Sequence, residues 1–186
     1  MDNFKVIIVE DVLPELKGTE GILRNEVPEA EIIATADSEE SFWQAFAKSK
    51  PDLVLLDLGL GGSTTVGIDI CSRLKSEHPE VKVLIFTGEI LNEHLWVDAL
   101  DAKCDGIILK TGELLTRDDV ASVMNGKRLV FNQPILAKIV ESFENPNVSD
   151  EKVGILVDSL SKQKNRVIYM EFSSLLKNKI AKFAVS

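Results

Sequence analysis

Five polar side chains follow directly on short apolar runs of the sequence. Two acids follow VIIV, one acid follows LVLL, a hydroxyl follows LIF and an ammonium group follows IIL: Glu10, Asp11, Asp57, Thr87 and Lys110. If the runs are parallel strands of one sheet, these side chains lie at its carboxyl edge, where ligands bind in such sheets. Three carboxylates, one hydroxyl and one ammonium group would then converge on one site.

Crowded carboxylates limit the chemistry of such a site. Like charges disfavour each other's ionisation, so three neighbouring carboxylates call for a cation between them. Oxygen donors that leave room for water suit Mg²⁺. A carboxylate can act as a nucleophile and form an acyl phosphate, while Lys110 neutralises phosphoryl oxygens and Thr87 donates a hydrogen bond to one of them. The residue types therefore predict magnesium-assisted phosphoryl transfer.

The elements that would position these residues alternate along the chain. Runs rich in Val, Ile and Leu, typical of strands buried on both faces, occupy residues 5–9, 31–35, 52–58, 82–88 and 106–110. Helical patterns lie at residues 14–26, 38–48, 67–77, 92–102 and 116–125, with Ser38 and Thr116 as predicted N-caps. The alternation predicts an α/β fold, a doubly wound five-stranded parallel sheet with helices on both faces.

Four strings carry a resemblance to a known family. In this order and at these intervals, VIIVED, LVLLDL, LIFTG and IILK resemble the receiver domain of two-component response regulators, over about residues 4–125. The resemblance implies a flavodoxin-like fold and a Mg²⁺ site. Asp11 would bind the metal directly and Glu10 mainly through water, while Asp57 and the backbone carbonyl of Gly59 would complete the set of metal ligands.

The same resemblance implies that Asp57 accepts a phosphoryl group from a sensor histidine kinase or a phosphotransfer protein. Lys110 would bind that group, and Thr87 would be the hydroxyl that moves toward it. Such domains catalyse their own phosphorylation and dephosphorylation only, so an enzyme in the usual sense is not expected. The modification would switch a protein interaction or a homodimer formed through the fourth helix, fifth strand and fifth helix.

Two positions depart from the family's pattern. Gly61 stands where a proline is usual and Gly67 is the matching glycine, so the loop after Asp57 is about two residues longer. The longer loop either alters kinase docking or dephosphorylation, or is a neutral insertion. Ile107 stands where most receivers carry an aromatic side chain that rotates inward. Either signalling relies on a shift of Thr87, which is the alternative that we favour, or the switch is weakened.

Three segments are predicted along the chain: a receiver domain at residues 1–126, a linker helix at residues 127–147 and a short helical region at residues 148–186. The last two resemble the linker and a shortened, degenerate helix-turn-helix of LuxR-type regulators. Residues 1–126 contain 24 acidic and 11 basic side chains, whereas residues 150–186 contain 4 acidic and 7 basic ones. Only the tail could therefore approach nucleic acid.

Two functions for this tail stay open. It could bind DNA in a phosphorylation-controlled transcriptional regulator, in which Lys177, Lys179 and Lys182 would contact the DNA phosphates. Alternatively, it is a helical extension that packs on the receiver, dimerises or binds a protein. We favour the second function, because a recognition helix needs supporting helices to be held in the major groove.

Composition restricts the setting in which the chain works. No apolar run approaches the roughly 20 residues that cross a bilayer, and MDNFKVIIVED lacks the features of a signal peptide. We therefore expect a cytoplasmic protein without a membrane partner. Cys71 and Cys104 are too few for a disulfide framework and too far apart for a metal site, which predicts buried thiols.

Overall fold

A parallel sheet forms the centre of the part of the chain that the computed structural model describes, namely residues 1–88, 95–110, 115–126 and 130–131. Its strands are β1 (Phe4–Val9), β2 (Ala30–Ala36), β3 (Leu53–Leu56), β4 (Lys82–Thr87), β5 (Gly106–Leu109) and β6 (Val130–Phe131). They lie in the order β2-β1-β3-β4-β5-β6. The order of the first five is the flavodoxin-like one, so the predicted fold class is confirmed.

Helices follow the strands, as predicted. They are α1 (Leu13–Glu26), α2 (Glu39–Lys48), α3 (Thr64–Glu77), α4 (Leu95–Asp101) and α5 (Arg117–Met124), with a short 3₁₀ helix at Leu60–Gly62. Helix α3 begins three residues before the predicted start at Gly67, because Ser63 rather than the glycine precedes its first turn. The predicted first turn at residues 92–94 lies outside the described residues.

Both faces of the sheet are buried, which explains why the strands are apolar at successive positions. On one face, Ile8, Leu55 and Leu84 belong to a single core cluster with Leu23 of α1 and Val120 of α5. Alternate residues along a strand point to opposite faces. The intervening positions are buried as well, with an exposed fraction of zero at Ile7, Val54 and Ile85.

The predicted caps of α2 and α5 are confirmed. The Ser38 hydroxyl accepts a hydrogen bond from the Ser41 amide at 3.3 Å, and the Thr116 hydroxyl accepts one from the Asp119 amide at 3.2 Å. In both cases the side chain of the third helical residue accepts a hydrogen bond from the backbone amide of the cap residue, and the two bonds form a capping box. A cap of this kind stabilises its helix by about 1 kcal/mol.

The short strand β6 is a difference from the prediction. Val130 and Phe131, the described residues of the segment expected to form the linker helix, instead pair in parallel with Gly106 and Ile107 of β5. A Cβ on Gly106 would lie 2.7 Å from the Val130 carbonyl oxygen, so the strands approach this closely only because residue 106 is a glycine. The rest of residues 127–147 lies outside the described residues.

The chain divides into two compact units, Met1–Val148 and Ser149–Ser186. The second unit, which contains the predicted helical region at residues 148–186 except its first residue, lies outside the described residues. Among the described helices, none is long and apolar enough to cross a membrane.

Candidate functional site

The carboxyl ends of β1 and β3 bring three carboxylates together. These strands are neighbours, and the direction of chain progression across the sheet reverses between them, which leaves a crevice at their ends. Carboxylate oxygens of Glu10, Asp11 and Asp57 all lie within 4.8 Å of one another. Glu10 and Asp57 are buried, with 3% and 7% of their surface exposed, whereas Asp11 faces solvent. The predicted acidic cluster is therefore present.

Lys110 joins this cluster from the end of β5. Its Nζ lies 3.0 Å from Oδ1 of Asp57 and also forms an ion pair with Glu10. Partial burial opposes the charged form of Lys110, but hydrogen bonds to carboxylates outweigh this effect and hold the pKa of the ammonium group above its ordinary value. Lys110 thus supplies a permanent positive charge beside the Asp57 carboxylate.

For Glu10, burial outweighs the hydrogen bonds that favour the charged form. Removal from water raises the pKa of its carboxyl group above the ordinary value, although the hydrogen bond from Lys110 and the Val12 amide, at 3.0 Å, both act to lower it. A cation added beside this carboxylate would favour its charged form.

Backbone amides of the loop after β3 orient two of the carboxylates. The Gly59 amide donates to Oδ2 of Asp57 at 2.6 Å, and the Gly61 amide donates to Oδ2 of Asp11 at 2.8 Å. Gly61 adopts a φ of 61°, which a proline cannot reach, and a proline would also lack the N–H. Glycine in place of the family's usual proline therefore allows the hydrogen bond from residue 61 to Asp11.

The absence of a side chain at Gly67 allows α3 to lie against the backbone of Asp57 and Leu58. A Cβ at this position would lie 2.8 Å from both the Asp57 carbonyl oxygen and the Leu58 Cα. The helix approaches the backbone of the aspartate this closely only because the side chain is absent. This contact gives a physical reason for a glycine at the position matched to the family's glycine.

Thr87 and Ile107 occupy buried positions on neighbouring strands. Thr87 ends β4 with an exposed fraction of zero, and its carbonyl oxygen accepts a hydrogen bond from the Lys110 amide at 2.9 Å. Thr87 is thereby placed at the same edge of the sheet as Lys110. Ile107 is also fully buried, and it pairs with Ile85 across the strands. Its side chain is part of the core.

Two contacts were missed from the sequence. One is the Gly61 amide described above. The other is Glu15, in the first turn of α1, whose Oε2 lies 2.7 Å from Nζ of Lys110. The signal was present, since an acid in the helix that follows β1 must start near the same edge of the sheet. Sequence spacing alone did not show which way its side chain points.

The donors present fit a magnesium ion. Every candidate ligand is an oxygen atom, and each carboxylate oxygen that accepts one hydrogen bond keeps further lone pairs for a cation. The Gly59 carbonyl accepts a long hydrogen bond from the Gly62 amide at 3.3 Å, and its second lone pair could face a cation. Asp11 is exposed, which leaves one side of the cluster open to the water that Mg²⁺ retains.

The chain is similar to several known proteins. The model of the response regulator receiver domain matches residues 6–117. The transcriptional regulatory protein ComA of Bacillus subtilis is 28% identical over 128 residues, which are 68% of this chain and 58% of ComA. The response regulator protein VraR of Staphylococcus aureus is 32% identical over 99 residues, which are 52% of this chain and 46% of VraR. The chain thus spans about half the length of these relatives.

A solved structure shows the same fold. The receiver domain of RcsB from Salmonella enterica serovar Typhimurium, determined with a phosphomimetic, superposes with a TM-score of 0.64 at 20% identity. The match covers 72% of this chain and 96% of that domain. At this identity, the likeness supports the fold of the described sheet and helices rather than any shared partner.

Proposed function

Because the chain belongs to the response regulator receiver domain family, we propose that it accepts a phosphoryl group on Asp57 and thereby switches a protein interaction. The donor would be a sensor histidine kinase or a phosphotransfer protein. The observation that carries the proposal is the position of Asp57, whose carboxylate lies beside those of Glu10 and Asp11 and 3.0 Å from the ammonium group of Lys110.

In the proposed transfer, a carboxylate oxygen of Asp57 bonds to phosphorus while the phosphorus–nitrogen bond of a phosphohistidine breaks, and the histidine leaves with the electron pair. The Gly59 amide holds one Asp57 oxygen and so orients the nucleophile. Lys110 donates to the phosphoryl oxygens, on which negative charge is spread. Thr87 would donate a hydrogen bond to the same group.

Glu10, Asp11, Asp57 and the Gly59 carbonyl would hold Mg²⁺. When bound, the ion would offset the charge of the phosphoryl oxygens, which three carboxylates would otherwise repel. The chain's own contribution is to fix these oxygen donors. The Gly61 amide holds Asp11, and burial just after the ends of β1 and β3 holds Glu10 and Asp57.

The output of the switch would be a homodimer or a complex through the face of α4, β5 and α5. Ile107 is buried in β5 and cannot report phosphorylation by the rotation of a ring. The signal would therefore pass through a displacement of Thr87 at the end of the neighbouring β4.

Intact-mass measurement tests the proposed acceptor. The full chain is incubated with a small acyl-phosphate donor, with and without Mg²⁺. We expect one phosphoryl adduct that requires Mg²⁺ and is lost in Asp57→Asn. A matched control is Asp52→Asn, because Asp52 precedes the opposite end of β3, is exposed, and accepts a hydrogen bond from the Lys5 amide at 2.7 Å. An adduct that persists in Asp57→Asn would reject the assignment.

A second candidate function is phosphorylation-controlled DNA binding through residues 148–186. Two observations favour it: one relative is a transcriptional regulatory protein, and basic residues predominate in the tail. DNA affinity of the full chain would be titrated over several salt concentrations, before and after phosphorylation. Tight binding that weakens with salt and on replacement of Lys177, Lys179 and Lys182 by Gln would support this function. Absence of binding would leave the protein-interaction function.

A further inference from the structure

The ammonium group of Lys110 has no spare donor in this structure. An ammonium group carries three N–H bonds, and Lys110 contacts three carboxylates, those of Glu10, Asp57 and Glu15. A phosphoryl group on Asp57 needs at least one of these N–H bonds. A phosphoryl group on Asp57 therefore competes with the neighbouring carboxylates of Glu10 and Glu15 for the N–H bonds of Lys110.

Glu15 is the carboxylate that can leave at the lowest cost. Its side chain is 45% exposed, compared with 3% for Glu10 and 9% for Asp57. An exposed carboxylate recovers its hydration when the ion pair breaks, whereas a buried one is left unpaired away from water. Glu15 also comes from α1, whereas Glu10 and Asp57 belong to the acidic cluster that would hold the cation.

Gly88, the residue after β4, lies beside this contact. A Cβ on Gly88 would lie 3.9 Å from Oε2 of Glu15 and 4.0 Å from Cδ of Lys110. Both side chains therefore lie at the carboxyl edge of the sheet, the edge at which Asp57 would carry the phosphoryl group.

We propose that Glu15 is an internal competitor of the phosphoryl group for Lys110, and that it thereby lowers the affinity of the site for that group. The inference rests on the proposed function of Asp57. Loss of the Glu15 charge frees one N–H of Lys110 and removes a repulsive carboxylate. A partly exposed ion pair of this kind accounts for a change in affinity on the order of fivefold.

Fluoroberyllate, a phosphoryl mimic, provides the test. Its affinity for the full chain with Mg²⁺ is measured by titration calorimetry for the wild type, Glu15→Gln and Glu15→Ala. The matched control is Glu26→Gln, which removes a charge from the exposed last residue of the same helix. We expect both Glu15 variants to bind the mimic more tightly than the wild type, with a smaller difference at high salt, and the control to equal the wild type.

The direction of the change in affinity distinguishes competition from damage to the fold. Damage to the start of α1 could only weaken binding, so a gain in affinity reports the competition itself. Equal or weaker binding by the Glu15 variants, beside a wild type that binds the mimic, would overturn the competition and leave the proposed function intact. A wild type that fails to bind the mimic would overturn both.

Discussion

Replacement of Gly67 by alanine tests whether α3 lies against the phosphoacceptor backbone as described. The new Cβ would lie 2.8 Å from the Asp57 carbonyl oxygen, 2.8 Å from the Leu58 Cα and 3.0 Å from the Leu58 Cδ2. Non-bonded heavy atoms pack at about 3.5 Å, so α3 or the loop must withdraw by roughly 0.7 Å. Two of the three neighbours are backbone atoms, and no rotamer change can relieve those contacts.

The cost of this displacement can be estimated. Insertion of a methyl group into a well-packed site costs about 1–3 kcal/mol, while alanine in place of glycine within a helix contributes up to ~1 kcal/mol in the opposite direction. We expect Gly67→Ala to lower the free energy of unfolding by about 1–2 kcal/mol. It should also slow phosphorylation of Asp57, because the carbonyl of that residue must move.

Urea unfolding of the full chain measures the first effect, and intact-mass kinetics with an acyl-phosphate donor measure the second. Gly18→Ala is the matched control, since a Cβ there meets nothing within 4 Å and the residue lies inside α1. That variant should be more stable than the wild type by about 0.4–1 kcal/mol. Equal stabilisation by both substitutions would refute the close approach of α3 to Asp57.

Three further predictions concern other contacts. Gly61→Pro should weaken Mg²⁺ binding several-fold in calorimetry, because it removes the N–H group that holds Asp11. Gly61→Ala keeps this N–H group and should bind Mg²⁺ more tightly than the proline variant. Asp105→Asn should lower the free energy of unfolding in urea by about 3–5 kcal/mol, because it leaves the buried Lys75 ammonium, 2.8 Å away, without its counter-charge; a loss below 1 kcal/mol would contradict that burial. Burial raises the pKa of the Cys71 thiol to about 12, so iodoacetamide at pH 8 should label it only after denaturation, and rapid labelling of the native chain would disprove its burial.

The sheet was predictable because its signals are local. The central strands β3, β4 and β5 are apolar runs that are buried along almost their whole length. Ser38 and Thr116 show the caps directly in the sequence. Strand β6 was not predictable, since two residues have no periodicity and their pairing with Gly106 is determined in three dimensions. The start of α3 was placed late because Ser63, Thr64 and Thr65 resemble loop residues, whereas Thr64 and Thr65 form the start of the helix.

The site was predictable to the extent that strand ends determine it. Glu10, Asp57 and Lys110 each follow an apolar run, and parallel strands bring such positions to one edge. The amide of Gly61 and the carboxylate of Glu15 could not be assigned in this way. The first depends on a loop conformation with positive φ, and the second on the rotation of α1 about its axis.

Chemical localisation of the phosphoryl group tests the central claim most directly. An acyl phosphate on an aspartate is reduced by borohydride to homoserine, which peptide mass spectrometry can assign to one position. After phosphorylation of the full chain with Mg²⁺, we predict homoserine at position 57 and at no other carboxylate of the site. Homoserine at position 11, or its absence from every peptide of a chain that carries a phosphoryl adduct, would contradict the assignment of Asp57.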